Sequence, residues 1–263
     1  MNTPLITVAM PVFNAGEFLK PALLSIINQT YTNWELIIID DGSTDGCLEN
    51  LLELDDSRIR VFKDGKNKGI APRLNEIIDL ATGEYIARMD NDDISHPQRF
   101  ELQLRVLQSQ PELDLISTRA LTIDKNNTTI GELPFNLIHE EICAKPWLGF
   151  YMVHPSWMGK TNWFKKYRYA DPNPFFCEDQ ELLLRSFATS QFATVNQILF
   201  SYRLASRVNL RKLIKTRLAL FRYQYKYFIK NHHYLYLALA FAALLGRLVK
   251  DCMRKINRLS RVG

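Results

Sequence analysis

Cysteine is scarce and unpaired. The four cysteines (Cys47, Cys143, Cys177 and Cys252) are scattered and form no Cys-x-x-Cys pair. That pattern excludes a disulfide framework and a zinc ribbon, and it reads as reduced thiols in a cytosolic protein. The five histidines show no metal-ligand spacing. Long apolar runs are missing too. Tyr234–Leu245 is almost wholly apolar but falls short of the roughly 20 residues that span a bilayer. Met1-Asn2-Thr3-Pro4 lacks a basic start and Leu5–Met10 is too short for a signal core, so no secretory signal is expected. Acids are nearly absent from the end of the chain. Residues 207–263 hold fourteen Lys and Arg against one acid, Asp251, a net +13. Residues 1–206 hold nineteen against twenty-seven, a net −8. An acidic globule with a basic tail predicts two jobs, the second one at an anionic surface.

What is present is organised around Tyr85–Asp93. An apolar strand, interrupted only by Arg88, stops in Asp90, Asp92 and Asp93. Three acids at the tip of a buried strand repel one another, and one or more would take up a proton. A divalent cation removes that cost, and oxygen-only ligands suit Mg²⁺ or Mn²⁺. A solvated acidic turn, or an acidic first helical turn, accounts for the residues equally well.

The chain length of 263 residues, 47% apolar, suffices for one good-sized core or one domain with an appendage. Leu5–Met10 reads as a buried strand, followed by turn residues at Asn14-Ala15-Gly16 and a helix from Phe18 to Ile27 with Pro21 in its first turn. Trp34–Ile39 is a second strand, ending in Asp40-Asp41-Gly42-Ser43-Thr44-Asp45. Ser43 or Thr44 is expected to cap a helix through Leu54. Strand Arg58–Phe62, helix Ile70–Ala81 and strand Tyr85–Met89 follow. Ser95 is expected to cap a helix running to about Gln110, with Gln98 reaching back. Residues 113–133 predict short strands turning at Asn126-Asn127, and Glu178–Phe187 a helix opened by two acids. Four strand–helix alternations predict an α/β fold: a Rossmann-like, mostly parallel sheet with helices on both faces. In such sheets ligands bind beyond the carboxyl ends of the strands, where Asn14, Asp41 and Asp92 fall. The aromatic-rich stretch 139–176 fits either core or a platform for sugar rings.

These pieces, in order and over residues 5–203, resemble the inverting family 2 glycosyltransferases of GT-A fold. The matching motifs are Val8–Asn14, Asn28–Tyr31, Asp40–Asp45, Asn67-Lys68-Gly69, Arg73-Leu74-Asn75, Arg88–Asp93 and Glu178-Asp179. The resemblance implies transfer from a nucleotide-activated sugar, most often a UDP-sugar, with Mg²⁺ or Mn²⁺ as cofactor. It implies that Pro11, Phe13, Asn14 and Asp41 surround the nucleotide and that Asp90 or Asn91 touches the ribose. Arg73 would lie near the base or phosphates, though a surface ion pair would explain it as well. Asp92 would be the metal ligand of the Asp-x-Asp motif and Asp179 the catalytic base, where a helix-dipole acid is the plain alternative. His154 and Glu178 are candidates for contact with acceptor or phosphate; a satisfied core histidine is the other reading of His154. The Gln-x-x-Arg-Trp motif of processive members is absent, which implies transfer of single sugars.

Two domains are expected, a catalytic domain over residues 1–206 and a basic amphipathic helical tail over residues 207–263. Leu210, Leu213, Ile214, Leu218, Phe221, Tyr225 and Phe228 share one helical face, and Arg247, Lys250, Arg254, Arg258 and Arg261 make a later cationic stripe. The tail is read as lying on an anionic membrane, with packing on the catalytic domain as the alternative. Nucleic acid is a poorer partner, because the body is acidic and no RNA-binding motif occurs. The expected enzyme works at the inner face of the cytoplasmic membrane on a lipid-linked or lipopolysaccharide-type acceptor. Its rivals are a nucleotidyltransferase acting on a sugar phosphate, disfavoured because no basic residue precedes Lys20, and a catalytically silent membrane-binding module.

Overall fold

The computed structural model describes residues 3–49, 56–172, 176–204 and 210–259. In chain order its elements are β1 (Ile6–Val12), α1 (Leu19–Ile27), β2 (Trp34–Asp40), β3 (Ile59–Lys63), α2 (Ile70–Leu80), β4 (Tyr85–Arg88), β5 (Ile94–Ser95), α3 (Arg99–Ser109), β6 (Leu115–Ile123), β7 (Thr129–Glu132) and α4 (His139–Cys143). They continue with β8 (Met158–Lys160), α5 (Thr161–Tyr167), α6 (Glu178–Ser186), β9 (Phe192–Arg203), α7 (Leu210–Lys230) and α8 (Tyr234–Leu259).

One sheet runs through the molecule in the order β3-β2-β1-β4-β8-β6-β9-β5, with β7 beside β6. β3, β2, β1 and β4 are parallel, as the strand–helix alternation predicts. The other half is mixed: β8 runs antiparallel to both β4 and β6, while β6 and β9 are parallel. The central strands are buried on both faces, so they read as unbroken apolar runs, and their two-residue period sorts side chains between two layers. Ile6, Val8, Met10 and Val12 join Leu36 and Ile38 against Ala22, Leu23 and Ile26 of α1 and Phe100 and Leu104 of α3. Ala9, Ile37 and Ile39 face the opposite way, onto Ala71, Leu74, Ile77 and Ile78 of α2. Each fully buried aliphatic side chain contributes about 1.5–3 kcal/mol, so this double-sided packing fixes the level of the strand tips.

Two helix starts differ from expectation. Ser95 is not a cap: it lies in β5 and pairs with Phe200, and α3 begins at Arg99. The orphan N–H of Phe100 is satisfied from far away, by Gln29 Oε1 at 3.0 Å. Gln29 also donates to the His96 carbonyl and to Ser95 Oγ, so a side chain from the end of α1 replaces the local cap. Ser43 and Thr44 open no helix among the described residues; they bond to Asn14 instead, and residues 50–55 lie outside the description.

α7 and α8 form a hairpin that packs on the rest of the fold through one side. Phe228 is fully buried, Gln224 donates to the Pro146 carbonyl, and Trp147 and Tyr236 lie ring to ring at 5.0 Å. The lone tail acid, Asp251, is buried against Arg217 at 2.6 Å and ties α8 to α7. Arg247 belongs to no outward cationic stripe, because it turns inward to the Leu148 carbonyl. Leu218 and Tyr225 likewise part from Phe228 and face outward. Among its described side chains α8 exposes the apolar Leu235, Phe241, Leu245, Val249 and Met253, with Lys250 exposed beside them. Among the described residues no helix is long and apolar enough to cross a membrane.

Candidate active site

The tips of β2, β1 and β4 are neighbours on one edge, because β1 pairs with both others. Backbone bonds continue past the strands: Asp41 N–H donates to the Val12 carbonyl and Met89 N–H to that of Ala9. This edge brings Pro11, Phe13, Asn14 and Asp41 beside the segment Asp90–Asp92. Pro11 is buried, while Phe13 is 48% exposed and free to meet a ligand face. Asn14 takes a positive φ of 47° and bridges two tips, its N–H donating to Ser43 Oγ and its Oδ1 accepting from Thr44 N–H. Asn is among the few side chains that tolerate that backbone.

Asp41 is held by the loop that follows β3. Its carboxylate accepts from the N–H groups of Lys68 and Gly69 and from Arg73 Nε. Gly69 has φ 88°, the conformation that aims its N–H at Asp41, and a Cβ on Gly42 would meet the Lys66 carbonyl carbon at 3.1 Å. Arg73 is buried, and its remaining donors go to Asp64, Glu76 and the Lys66 carbonyl. Its hydrogen bonds go to Asp41 and to this loop, so it fixes the position of the Asp41 carboxylate at the edge. A surface ion pair, the other reading of Arg73, does not describe it.

The three acids after β4 take different surroundings. Asp93 turns inward, with Oδ1 accepting from the N–H of Arg203 and Oδ2 buried without a partner. Burial and the neighbouring Asp90 and Asp92 push its carboxyl well up. Arg203 also clamps the Asp92 carbonyl, anchoring the acidic turn to β9. Asp92 and Asp90 stay half-buried at the edge, and Asn91 lies between them. Desolvation and the Asp90 charge push Asp92 up to about 6. Hard carboxylate oxygens are crowded here, and Arg88 pairs with Asp90 without cancelling the upward push on Asp92. Among the described residues no group of three His, Cys, Asp or Glu could hold a metal by itself. This donor set fits a cation such as Mg²⁺ or Mn²⁺, which binds through one or two carboxylates plus substrate phosphates.

Facing this edge, α6 begins with Glu178 and Asp179. Asp179 is oriented by Gln180, which donates to its Oδ2 and is itself locked to both backbone groups of Phe150. Burial raises the Asp179 carboxyl above its usual range. Burial and Asp179 push Glu178 up to about 7. His154 does not stand alone: Nε2 shares a hydrogen bond of 2.8 Å with Tyr169 OH, and Nδ1 lies 4.0 Å from Glu178. Tyr169 is pinned by paired bonds between its backbone and the Asn75 side chain, so the Arg73-Leu74-Asn75 motif reaches α6 through two side chains. Burial and Arg88 keep the imidazole neutral.

Arg88 joins the two carboxylate groups. Sequence reasoning marked it as the break in an apolar strand and as the first residue of the Arg88–Asp93 motif, with no role of its own. It is fully buried, and its charge acts on Asp90 and Asp92 on one side and on Glu178 and Asp179 on the other. Arg203 and Arg99, which hold the backbone at Asp92, Arg88 and Trp157, were not singled out in the sequence, and Gln29 stood there only inside the Asn28–Tyr31 motif, because the backbone groups they hold are distant in the chain.

Comparison with known proteins fits this arrangement. The profile of the family described as Glycosyl transferase family 2 matches residues 7–168. An uncharacterized glycosyltransferase of Methanocaldococcus jannaschii is 31% identical over 238 residues, 88% of this chain and 80% of that protein. The Escherichia coli UDP-Glc:alpha-D-GlcNAc-diphosphoundecaprenol beta-1,3-glucosyltransferase is 36% identical over 107 residues, 41% of this chain and 42% of its own length. This chain therefore spans less than half of the latter protein. Among solved structures, a mannosyltransferase from Pyrobaculum calidifontis in complex with GDP-Man and Mn²⁺ superposes with a TM-score of 0.65 at 16% identity, over 98% of this chain and 80% of that one. Staphylococcus aureus TarS with UDP-GlcNAc gives 0.64 at 14% identity, over 83% and 66%. These likenesses carry the GT-A fold, and with the profile covering more than half of its residues this chain is a glycosyltransferase that belongs to glycosyl transferase family 2.

Proposed function

We propose that the protein moves one sugar from a nucleotide sugar, most simply a UDP-sugar, to a hydroxyl of a lipid-linked saccharide or lipopolysaccharide-type acceptor, with inversion and without processive extension. The observation that supports this reading is the pairing of two carboxylate groups, Asp90–Asp92 and Glu178–Asp179, across the buried Arg88 cation. The β1 and β2 tips, with Pro11, Phe13, Asn14 and Asp41, receive the nucleotide, and Asp90 and Asn91 its ribose. A divalent cation held by Asp92 would supply Lewis-acid stabilisation to the departing diphosphate. Asp179 accepts the proton of the acceptor hydroxyl as that oxygen bonds the anomeric carbon. The bond from that carbon to the diphosphate oxygen breaks on the opposite face, releasing a nucleoside diphosphate. The raised Asp179 carboxyl suits a base that must hold a proton once it has taken one.

The lipid-linked acceptor and a station on the inner face of the membrane rest on the tail. The outward side of α8 presents Leu235, Phe241, Leu245, Val249 and Met253, and α7 adds exposed Arg211, Arg222, Lys226 and Lys230. An apolar strip flanked by cations suits an interfacial helix on anionic lipid. Residues 1–206 would then be the catalytic domain and residues 207–263 its membrane contact. The test is a screen of nucleotide sugars with Mn²⁺, reading release of the nucleoside diphosphate and protection against thermal unfolding. Absence of both across UDP-, GDP- and dTDP-sugars would sink the proposal.

A further inference from the structure

Arg88 is held at its backbone and left open at its side chain. Its N–H donates to the Trp157 carbonyl at 2.8 Å, and its own carbonyl accepts from Arg99 Nη2 at 2.8 Å. Its guanidinium is 2% exposed, yet Nε and Nη1 have no hydrogen-bond acceptor among the described residues. Nη2 pairs with Asp90 Oδ1 at 2.8 Å. Arg73, equally buried, spends its donors on four protein partners. Across from Arg88, Glu178 Oε2 is also buried and unpartnered. Native proteins seldom bury such groups unmatched, because each loses its water without replacement.

Donors without acceptors on one side and an acceptor without a donor on the other describe the complement of a hydroxyl, which can do both. The ligand must also tolerate Asp90, Asp92, Glu178 and Asp179 close by, which selects against a carboxylate and in favour of a neutral polyol. It must lie between the side that takes the diphosphate and the side that holds the base. We propose that Arg88, together with Glu178, reads the hydroxyls of the neutral pyranose being transferred, making Arg88 the residue that distinguishes the sugar nucleotide from the free nucleotide. This rests on the glycosyl-transfer reading above.

The test is the ratio of dissociation constants, sugar nucleotide over nucleoside diphosphate, measured by titration calorimetry with Mn²⁺. The probes are UDP-glucose, UDP-N-acetylglucosamine and GDP-mannose, each beside UDP or GDP. Arg88→Met also gives up the ion pair with Asp90, so its folding is read by circular dichroism before the titration. Any effect passed through Asp90 and Asp92 is shared by both ligands and cancels in the ratio, which should rise at least about tenfold, the scale of a lost charged hydrogen bond. Arg88→Lys keeps the charge beside Asp90 but lacks the fork, and should raise the ratio as well. A ratio unchanged in Arg88→Met, normal discrimination by Arg88→Lys, or unfolding of both variants assigns Arg88 to a structural ion pair and overturns the proposal. Wild-type protein that binds none of the five probes removes the glycosyl-transfer reading and this one with it, whereas wild-type binding with an unchanged variant ratio removes this one alone.

Discussion

Arg73 Nε donates to Asp41 Oδ1 at 2.9 Å, joining the first turn of α2 to the tip of β2 with both side chains buried. Removing the cation leaves the Asp41 carboxylate buried without compensation. Arg73→Met should lose about 3–5 kcal/mol of stability in urea unfolding, as buried pairs do when one partner is deleted. The Arg73→Met/Asp41→Asn double variant should lose less than the sum of the single changes.

Asp179→Asn should lower kcat by about 10²–10⁴-fold, the scale of a lost general base, with nucleotide-sugar affinity kept. In the wild type the rate should rise with pH through a pKa above the ordinary carboxylate range and then level off, because burial raises this group and only its ionised form accepts a proton. Calorimetric binding and initial rates across pH separate the two effects. Transfer at the wild-type rate by Asp179→Asn would remove the assignment.

Asp92→Asn should abolish the extra thermal protection that Mn²⁺ gives in the presence of UDP, while UDP alone protects both proteins equally. Two hard oxygens plus phosphate make a site that the amide cannot complete. Equal Mn²⁺ protection of variant and wild type would move the metal elsewhere.

Glu178 makes stability fall as pH rises. Its folded pKa of about 7 lies above the free value of about 4.3, so the native state holds the proton between them. Its contribution is fully present below the free value and is lost as pH rises through about 7. Glu178→Gln should therefore flatten the melting temperature between about pH 4.3 and about 7 and stabilise the protein above that range. An unchanged slope in the variant would contradict this.

Leu245→Glu and Val249→Glu change exposed side chains on the outer side of α8. Unfolding free energy should stay within about 0.5 kcal/mol. Co-sedimentation with phosphatidylglycerol vesicles should drop several-fold and grow more salt-sensitive. Undiminished binding would mean that this face does not meet lipid.

The parallel half of the sheet was legible because central strands must be apolar on both faces and their helices apolar on one. The chain from Ile6 to Arg88 therefore announces each element by its period. The acids at the strand tips were legible for the opposite reason, being polar where the pattern demands apolar residues. Arg88 broke that pattern visibly, but nothing local could say that Nε and Nη1 would be left without acceptors. The start of α3 was misread at Ser95 because its orphan N–H is met by Gln29, and no local pattern reports a partner 71 residues away.

Sequence alone determined the class of chemistry: carboxylates at successive strand ends, an acid pair opening a later helix, and a basic amphipathic tail. Tertiary structure alone decided which of those groups are desolvated and which are matched. It turned Asp93 and Arg247 inward, set Arg73 to holding Asp41, and left Arg88 Nε and Nη1 and Glu178 Oε2 without hydrogen-bond partners among the described residues. The reason is physical: identity and spacing set what a side chain can do, but its pKa and its spare hydrogen bonds depend on neighbours that only folding assembles.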